Sequence, residues 1–277
     1  MINTKDMVYS FSRIESFNGC PYGFYLTYIK KHTGEDNIYS YLGGEVHELL
    51  EALQVGKLTR NEAIEIFEEK FDDAKILGYE FMSPSVEKKY VESIVNYFEN
   101  YTPIKCEEYG IEEEFLIEIN GIKLKGFIDF FYLNERGKVE VIDYKSSSKF
   151  SAKDLPSKTR QLVLYGIALE KKGMEVERVG FDMLKYYAKP WRGKEILKER
   201  WNAPIDEIEY LENKGYVFRE FNEETKQEVI DYITSSVEKI NAKDPNNEDD
   251  WEPVENCKSD FFCRTLCGHY DICKYQK

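Results

Sequence analysis

The stretch GFIDFFYLNERGKVEVIDYKSSSKF, residues 126–150, decides the fold and raises the main chemical question of this chain. Two runs rich in β-branched and aromatic residues flank the turn signal NERG, which predicts a β-hairpin. Each run contains one aspartate, Asp129 or Asp143, where the pattern calls for a buried apolar side chain. If the turn leaves Leu133 opposite Lys138, Asp129 lies within one position of Asp143 across the hairpin.

Two buried carboxylates at that distance repel each other strongly unless a divalent cation lies between them. Hard oxygen ligands of this kind suit Mg²⁺ or Mn²⁺. Lys145 comes two residues after Asp143, so both side chains point to one face of the strand, and the carbonyl of Tyr144 can approach the same site. A metal ion and a lysine favour phosphodiester hydrolysis, because the ion activates water and neutralises the phosphate. A simple ion pair at a strand end is the alternative for this tripeptide.

The wider pattern predicts an α/β fold with a mixed central sheet. A strand before the turn signal Asn120-Gly121 completes a three-stranded antiparallel meander with the two strands of the hairpin. A helix over 159–173 then leads to a strand over 176–189, which indicates a crossover helix. We expect a single domain over 1–277, made of a helical region at 1–105, a catalytic sheet core at 106–221, and a C-terminal helix, acidic linker and cysteine-rich tail at 222–277.

The helical region contains His47, on a helix that we expect to begin after the glycine pair at 43–44 and to end at Gly56. An earlier aromatic-rich helix is expected to be capped by Ser10 or Ser12.

The motif GFID…VIDYKSS resembles the catalytic hairpin of the PD-(D/E)xK nuclease superfamily, in its RecB-like branch. The segment GEVHE around His47 is similar to the early histidine motif of that branch, and Gln161 and Tyr165 match its Gln-x-x-x-Tyr helix. The resemblance implies a restriction-endonuclease-like core and a DNA nuclease, with exonuclease action, that uses Mg²⁺ or Mn²⁺.

The same resemblance implies the residues of the site. The metal ligands are His47, Asp129, Asp143 and the carbonyl of Tyr144, and the catalytic residues are Asp129, Asp143, Lys145, Gln161 and Tyr165. The branch also has an acid on the strand before the hairpin, for which Glu112, Glu113 and Glu114 all remain candidates. Candidates for phosphate contacts are Lys149, Lys153, Lys158 and Arg160.

Six cysteines lie at positions 20, 106, 257, 263, 267 and 273, four of them in the last 21 residues. In an intracellular chain such clustering indicates a metal rather than disulfides. One possible ligand set is Zn²⁺ at Cys257, Cys263, Cys267 and Cys273; in the other, Cys20 joins the last three around a [4Fe–4S] cluster.

The segment SFSRIESFNGCPYGFYLTYI, residues 10–29, resembles the first-cysteine segment of AddB-type and CRISPR-associated nucleases. This resemblance implies an iron–sulfur cluster at Cys20, Cys263, Cys267 and Cys273. The tail of those proteins usually begins C-x-x-C, whereas this chain has C-x-x-x-C, which keeps Cys257 as a candidate ligand. Cys106 fits no pattern and is expected to be a packed thiol.

The net charge of −14 argues against DNA binding by bulk electrostatics. Residues 123–160, however, carry nine Lys or Arg against five Asp or Glu, so phosphate contacts can be local. No apolar run approaches the roughly 18 residues of a membrane span, and the N-terminus lacks the apolar core of a signal peptide, so we expect a cytoplasmic protein.

The resemblance implies DNA ends or single strands as substrate, and recombination, helicase or CRISPR-adaptation proteins as candidate partners. The length is similar to that of stand-alone members, which are often phage-encoded. Two other hypotheses stay open: a catalytically silent subunit of this fold that binds DNA or a partner, and a structural-zinc protein.

Overall fold

In a computed structural model that describes residues 7–106, 108–253 and 261–276, five capped helices precede the sheet. They are α1 (Phe11–Gly19), α2 (Pro21–Phe24), α3 (Ile38–Gln54), α4 (Arg60–Ile76) and α5 (Pro84–Glu99). Ser10 caps α1 by accepting a hydrogen bond from the backbone N–H of Arg13. The sulfur of Cys20 caps α2, which continues into a π-helical turn, Tyr25–Ile29. The chain therefore bends at Cys20 instead of forming one long aromatic helix.

Helix α3 differs from the prediction at its N-terminus. It begins at Ile38, so the glycine pair at 43–44 lies inside the helix rather than before it. Asn37 and Ser40 form a capping box there, and burial of Ile38 and Leu42 stabilises the extra turn. Glycine lowers helix propensity by only about 1 kcal/mol per residue, which a cap and two buried side chains offset.

The predicted meander is confirmed, as β1 (Tyr109–Ile119), β2 (Ile122–Leu133) and β3 (Val139–Lys145). Asn120 and Gly121 both have positive φ, 51° and 78°, which is the conformation of a tight hairpin turn. In the second hairpin, Leu133 pairs with Val139 rather than Lys138, so the predicted register was off by one residue.

Two helices, α6 (Leu155–Lys158) and α7 (Arg160–Lys171), then cross over to β4 (Val176–Met183), which is parallel to β3. The single strand predicted over 176–189 was wrong. The chain turns after β4, where the N–H of Leu184 donates to the carbonyl of Lys145 at 3.0 Å. A separate antiparallel hairpin follows, made of β5 (Tyr186–Trp191) and β6 (Lys194–Glu199).

The last regular elements are β7 (Tyr216–Glu220), antiparallel to β4, and α8 (Glu223–Asn241). The strand order β1-β2-β3-β4-β7 is the mixed α/β sheet that the pattern predicted. Short 3₁₀ helices span Ile205–Tyr210, Glu248–Trp251 and Tyr270–Ile272, and a second π-helical turn spans Phe262–Leu266. Each helix in the described part of the chain is too short or too polar to cross a lipid bilayer.

The sheet separates two apolar cores. One contains Val141 together with side chains of α1, α7 and α8. The other contains Ile142 and Tyr144 together with side chains of α3, α4 and α5. Since side chains alternate along β3, Asp143 and Lys145 share the face of α7, while the backbone of Tyr144 lies between the two layers.

Trp251 joins the C-terminal region to the N-terminal helices. Its side chain is fully buried, and its ring stacks on Phe24 at 5.5 Å and on Tyr25 at 5.6 Å between centroids. Phe17 meets the same ring edge-on at 6.3 Å. Stacked and edge-on aromatic contacts add to the stabilisation from burial.

We expect Trp251→Ala to lower the free energy of unfolding by about 3–5 kcal/mol, because it leaves a large cavity under α2. Urea unfolding followed by circular dichroism measures the loss. The matched control is Trp191→Ala, whose side chain is about half exposed (52%) and should change stability by less than about 1 kcal/mol. Equal effects of the two substitutions would contradict the anchoring role of Trp251.

Candidate active site

Three carboxylates occupy one register position across β1, β2 and β3. The ladder pairs Phe130 with Ile142, so the next position along places Asp129 opposite Asp143. On the other side of β2, the pairs that flank Glu112 place it opposite Asp129. The one-residue correction to the hairpin register therefore brings the two aspartates directly opposite each other.

Glu112 is the acid of β1 that lies at the site. It has a positive φ of 50°, an uncommon conformation for a non-glycine residue, and it lines the same cavity as His47 and Lys145. Glu113 instead binds Lys172 at 2.5 Å, and Glu114 is exposed. The choice among the three acids could not be made from the sequence, because alternation breaks at Glu112.

The electrostatics show how crowded these charges are. Burial and, after it, the charge of Asp143 raise the pKa of Asp129 to about 7, while Lys145 opposes the shift. Glu112 and Glu51 add smaller contributions in the same direction. Asp143 itself is almost fully buried, at 1% exposure. The site therefore holds more negative charge than one lysine balances.

The two oxygens of Asp143 have different partners. Its Oδ2 accepts from the Nζ of Lys145 at 2.7 Å. Its Oδ1 is buried without a hydrogen-bond partner among the described residues and lies 3.8 Å from Nε2 of His47. That same Nε2 lies 2.7 Å from the carbonyl oxygen of Tyr144. A bare buried carboxylate oxygen is costly, so this point favours an additional cationic partner.

The face of α7 supplies Gln161 and Tyr165. The Nε2 of Gln161 donates to the hydroxyl of Tyr165 at 2.6 Å. Burial raises the pKa of Tyr165, and the charges of Asp129 and Asp143 raise it further. Because these charges act on it, the tyrosine hydroxyl lies close to the acids and stays protonated, able to donate a hydrogen bond.

A cavity of about 1,080 Å³ opens beside this site, and of the predicted residues His47, Glu112, Tyr144 and Lys145 line it. Asp129, Asp143, Gln161 and Tyr165 are not among its lining residues. His47 and Lys145, which both contact Asp143, lie in its wall. The sequence reasoning missed Glu51, also in the wall, where burial and the charge of Glu112 raise its pKa to about 7. Its spacing of four residues from His47 is a signal that could have found it, since i and i+4 share one helix face.

The cavity wall also includes residues that no sequence pattern indicated: Lys185 after β4, and Phe261 and Leu266 from the cysteine-rich tail.

A second feature is a group of four cysteines, one between α1 and α2 and three in the cysteine-rich tail. Burial raises the pKa of Cys267, and the thiols of Cys20, Cys263 and Cys273 raise it further, which identifies them as its electrostatic neighbours. All four are half-buried and free of disulfides. Cys257, the alternative ligand, lies outside the described residues. The four cysteines of the iron–sulfur prediction are thus electrostatic neighbours, although no three of the described His, Cys, Asp or Glu side chains form a ready-made metal-binding group.

Two contacts hold the cysteine-rich tail against the segment that follows Cys20. The N–H of Glu35 donates to the carbonyl of Gly268 at 2.9 Å, and Nε2 of His269 lies 2.7 Å from the hydroxyl of Thr27. Cys106 is half-buried away from this cluster, with its thiol 3.6 Å from the carbonyl of Ile104.

The donor atoms around Asp143 fit a hard divalent ion. Over residues 7–106, 108–253 and 261–276, no three His, Cys, Asp or Glu side chains form a ready-made metal-binding group. The hairpin nevertheless offers two opposed carboxylates, an imidazole and a backbone carbonyl, and one buried oxygen that lacks any partner. Mg²⁺ and Mn²⁺ prefer such ligands, and both usually retain waters that complete the coordination.

Comparisons with known proteins identify the family of the chain. The family model of the PD-(D/E)XK nuclease superfamily matches residues 8–274. No curated protein matches the chain. A solved structure described as "Crystal structure of SSO0001" is 16% identical, with 93% of this chain and 95% of that chain covered and a TM-score of 0.31. At that TM-score the likeness supports no conclusion about the site.

We expect Asp129→Asn to stabilise the metal-free protein at pH 8 but not at pH 4. Because the pKa of Asp129 is raised in the folded chain, the protonated carboxyl contributes stability that is fully present below about pH 4. This stability is lost as the pH rises to about 7, where Asp129 must ionise close to other acids. The gain at pH 8 is on the order of 2 kcal/mol. Urea unfolding at both pH values measures it.

Glu118→Gln is the control for this experiment, since Glu118 is an exposed acid on the same sheet. A pH-independent effect of Asp129→Asn, matching that of the control, would show that Asp129 and Asp143 do not repel each other in the folded chain.

Proposed function

Because the chain belongs to the PD-(D/E)XK nuclease superfamily, we propose that it is a RecB-like exonuclease that hydrolyses DNA with Mg²⁺ or Mn²⁺. Members of the superfamily are generally nucleases that hydrolyse phosphodiester bonds. The observation that carries the proposal is the arrangement at Asp143, with Lys145 on one carboxylate oxygen and a bare buried oxygen facing His47. A purely structural ion pair between Asp143 and Lys145 does not explain a second acid at Asp129, whose charge opposes that of Asp143.

In this proposal, His47, Asp129, Asp143 and the carbonyl of Tyr144 hold the ion. When bound, the ion supplies an activated water and neutralises charge on the scissile phosphate. The 2.7 Å distance between Nε2 of His47 and the carbonyl oxygen of Tyr144 shows that two of these proposed ligands lie close together.

The protein groups around this centre have separate roles. Lys145, 36% exposed at its side chain, keeps one face toward the cavity and so can orient water and stabilise charge on the phosphate. Its ion pair with Asp143 fixes the position of the ammonium group. The hydroxyl of Tyr165, oriented by Gln161, can donate a hydrogen bond on the α7 side of the site.

We expect the purified chain to degrade linear, end-labelled single-stranded DNA in Mg²⁺ or Mn²⁺, and Lys145→Ala to reduce kcat by at least about 100-fold. Removing Lys145 takes away the charge that stabilises the transition state, so the loss should appear in kcat more than in KM. A gel-based time course measures both constants.

The matched control is Lys171→Ala, an exposed lysine at the far end of α7. Covalently closed circular DNA tests the exonuclease claim, because it has no end to enter. Cutting of the circle would replace exonuclease with endonuclease action. Tight DNA binding by the native chain without any turnover would favour the catalytically silent subunit.

We further propose that Cys20, Cys263, Cys267 and Cys273 hold a [4Fe–4S] cluster. The support is that the thiols of Cys20, Cys263 and Cys273 all act on Cys267. In addition, the sulfur of Cys20 accepts the N–H of Gly23 at 3.3 Å, a type of hydrogen bond that cluster sulfurs also accept. Such a cluster would join α2 to the C-terminus.

Protein purified without oxygen should be brown and contain about four irons per chain, and Cys20→Ser should lose the visible absorbance. Cys106→Ser is the matched control and should retain both iron and colour, since Cys106 lies away from the four thiols. One zinc per chain, with no absorbance in the visible range, would instead support the structural-zinc site that includes Cys257.

A further inference from the structure

The β5–β6 hairpin is a cationic and aromatic element of an acidic chain. Residues 185–201 contain six Lys or Arg and two Glu, although the whole chain has a net charge of −14. The same residues include Trp191 and Trp201, two of the three tryptophans. Positive charge combined with aromatic rings is the surface that single-stranded nucleic acids bind.

A groove of about 440 Å³ lies at the base of this hairpin, and we call it the arm groove. Lys149, Lys198 and Trp201 line it, and the buried rings of Tyr186 and Tyr187 complete it. Both lysines are exposed, and neither forms an ion pair with an Asp or Glu in the part of the chain that the structure describes. Their charges are therefore available to an anionic ligand.

The arm groove adjoins the candidate active-site cavity at two separate points of the chain. Ser148 lines the cavity, and the next residue, Lys149, lines the groove. Lys185 lines the cavity, and the next residue, Tyr186, lines the groove. Since consecutive Cα atoms are about 3.8 Å apart, the cavity and the groove lie next to each other at these two places.

Trp201 is held in one orientation at the groove. Its Nε1 donates to Glu199 Oε2 at 2.8 Å, and the Nζ of Lys89 lies 4.6 Å from its ring centroid. The hydrogen bond also occupies Glu199, the acid that lines the groove. A half-exposed indole ring with a fixed orientation can stack on a base with little loss of entropy.

We propose that the arm groove binds the unpaired DNA strand next to the scissile phosphate, with its phosphates at Lys149 and Lys198 and one base on Trp201. This inference rests on the proposed function, because it assigns the path of the substrate away from that site. A paired duplex fits less well, since its stacked bases do not offer a free face to Trp201.

The test measures binding without turnover, in the full-length Lys145→Ala chain with no added metal ion. Fluorescence anisotropy of a labelled oligothymidine of about 30 nucleotides gives Kd over a series of salt concentrations. Adding Lys149→Ala and Lys198→Ala should weaken binding at least fivefold and reduce the log–log salt slope by about 1.4, because two phosphate contacts are lost. Trp201→Ala should weaken binding about tenfold, and Trp201→Phe should restore most of it.

The matched control removes the same charge elsewhere, with Lys171→Ala and Lys239→Ala, both exposed lysines on α7 and α8. It should leave Kd and the salt slope as in the parent. Thermal melting confirms that every variant is folded.

Equal losses in the control and the groove variants would overturn the proposal, as would groove variants that bind like the parent. Equal dependence on Trp201 for a blunt duplex would overturn the assignment to an unpaired strand. Cleavage by the native chain is a separate measurement, so a failed nuclease and a failed groove give different results.

Discussion

The repulsion between Asp129 and Asp143 is the constraint on which this structure depends. The register of β2 and β3 places the two carboxylates opposite each other, and neither can turn away without a slip that would move the apolar residues of both strands to the wrong face. The hairpin thus keeps the acids together at a cost in stability, since burial and the charge of Asp143 raise the pKa of Asp129 to about 7. Strain of this kind persists where the surrounding structure enforces it, as is common at functional sites.

The sequence predicted the hairpin that carries the two aspartates because its signals are local. The NERG turn fixes which residues of the hairpin face each other, and an error of one residue in the pairing still left the aspartates as neighbours. The role expected for His47 came only from the resemblance to the nuclease family, because the periodicity of α3 does not distinguish a metal ligand from a packed histidine. The structure places Nε2 of His47 2.7 Å from the carbonyl oxygen of Tyr144.

Other features could not be predicted because tertiary contacts decide them. The pattern over 176–189 is β-prone throughout, yet the chain leaves the sheet after Met183, where backbone hydrogen bonds to Gly215 and Lys145 end the strand. Two β-prone runs joined by a turn look like one strand when no glycine or proline marks the break. The sequence therefore did not predict the aromatic and basic β5–β6 hairpin as a separate element, nor the arm groove at its base.

The cysteine-rich tail links the two ends of the chain to the site itself. Trp251, buried against Phe24 and Tyr25, brings the chain back to α2. In the described part of the tail, Cys267 is an electrostatic neighbour of Cys20. Leu266, the residue before Cys267, lines the same cavity as His47 and Lys145. A group bound by the thiols would hold that wall in place by joining two segments far apart in sequence. In the proposed arrangement, the same cysteines would both close the domain and hold the cavity wall beside His47 and Lys145.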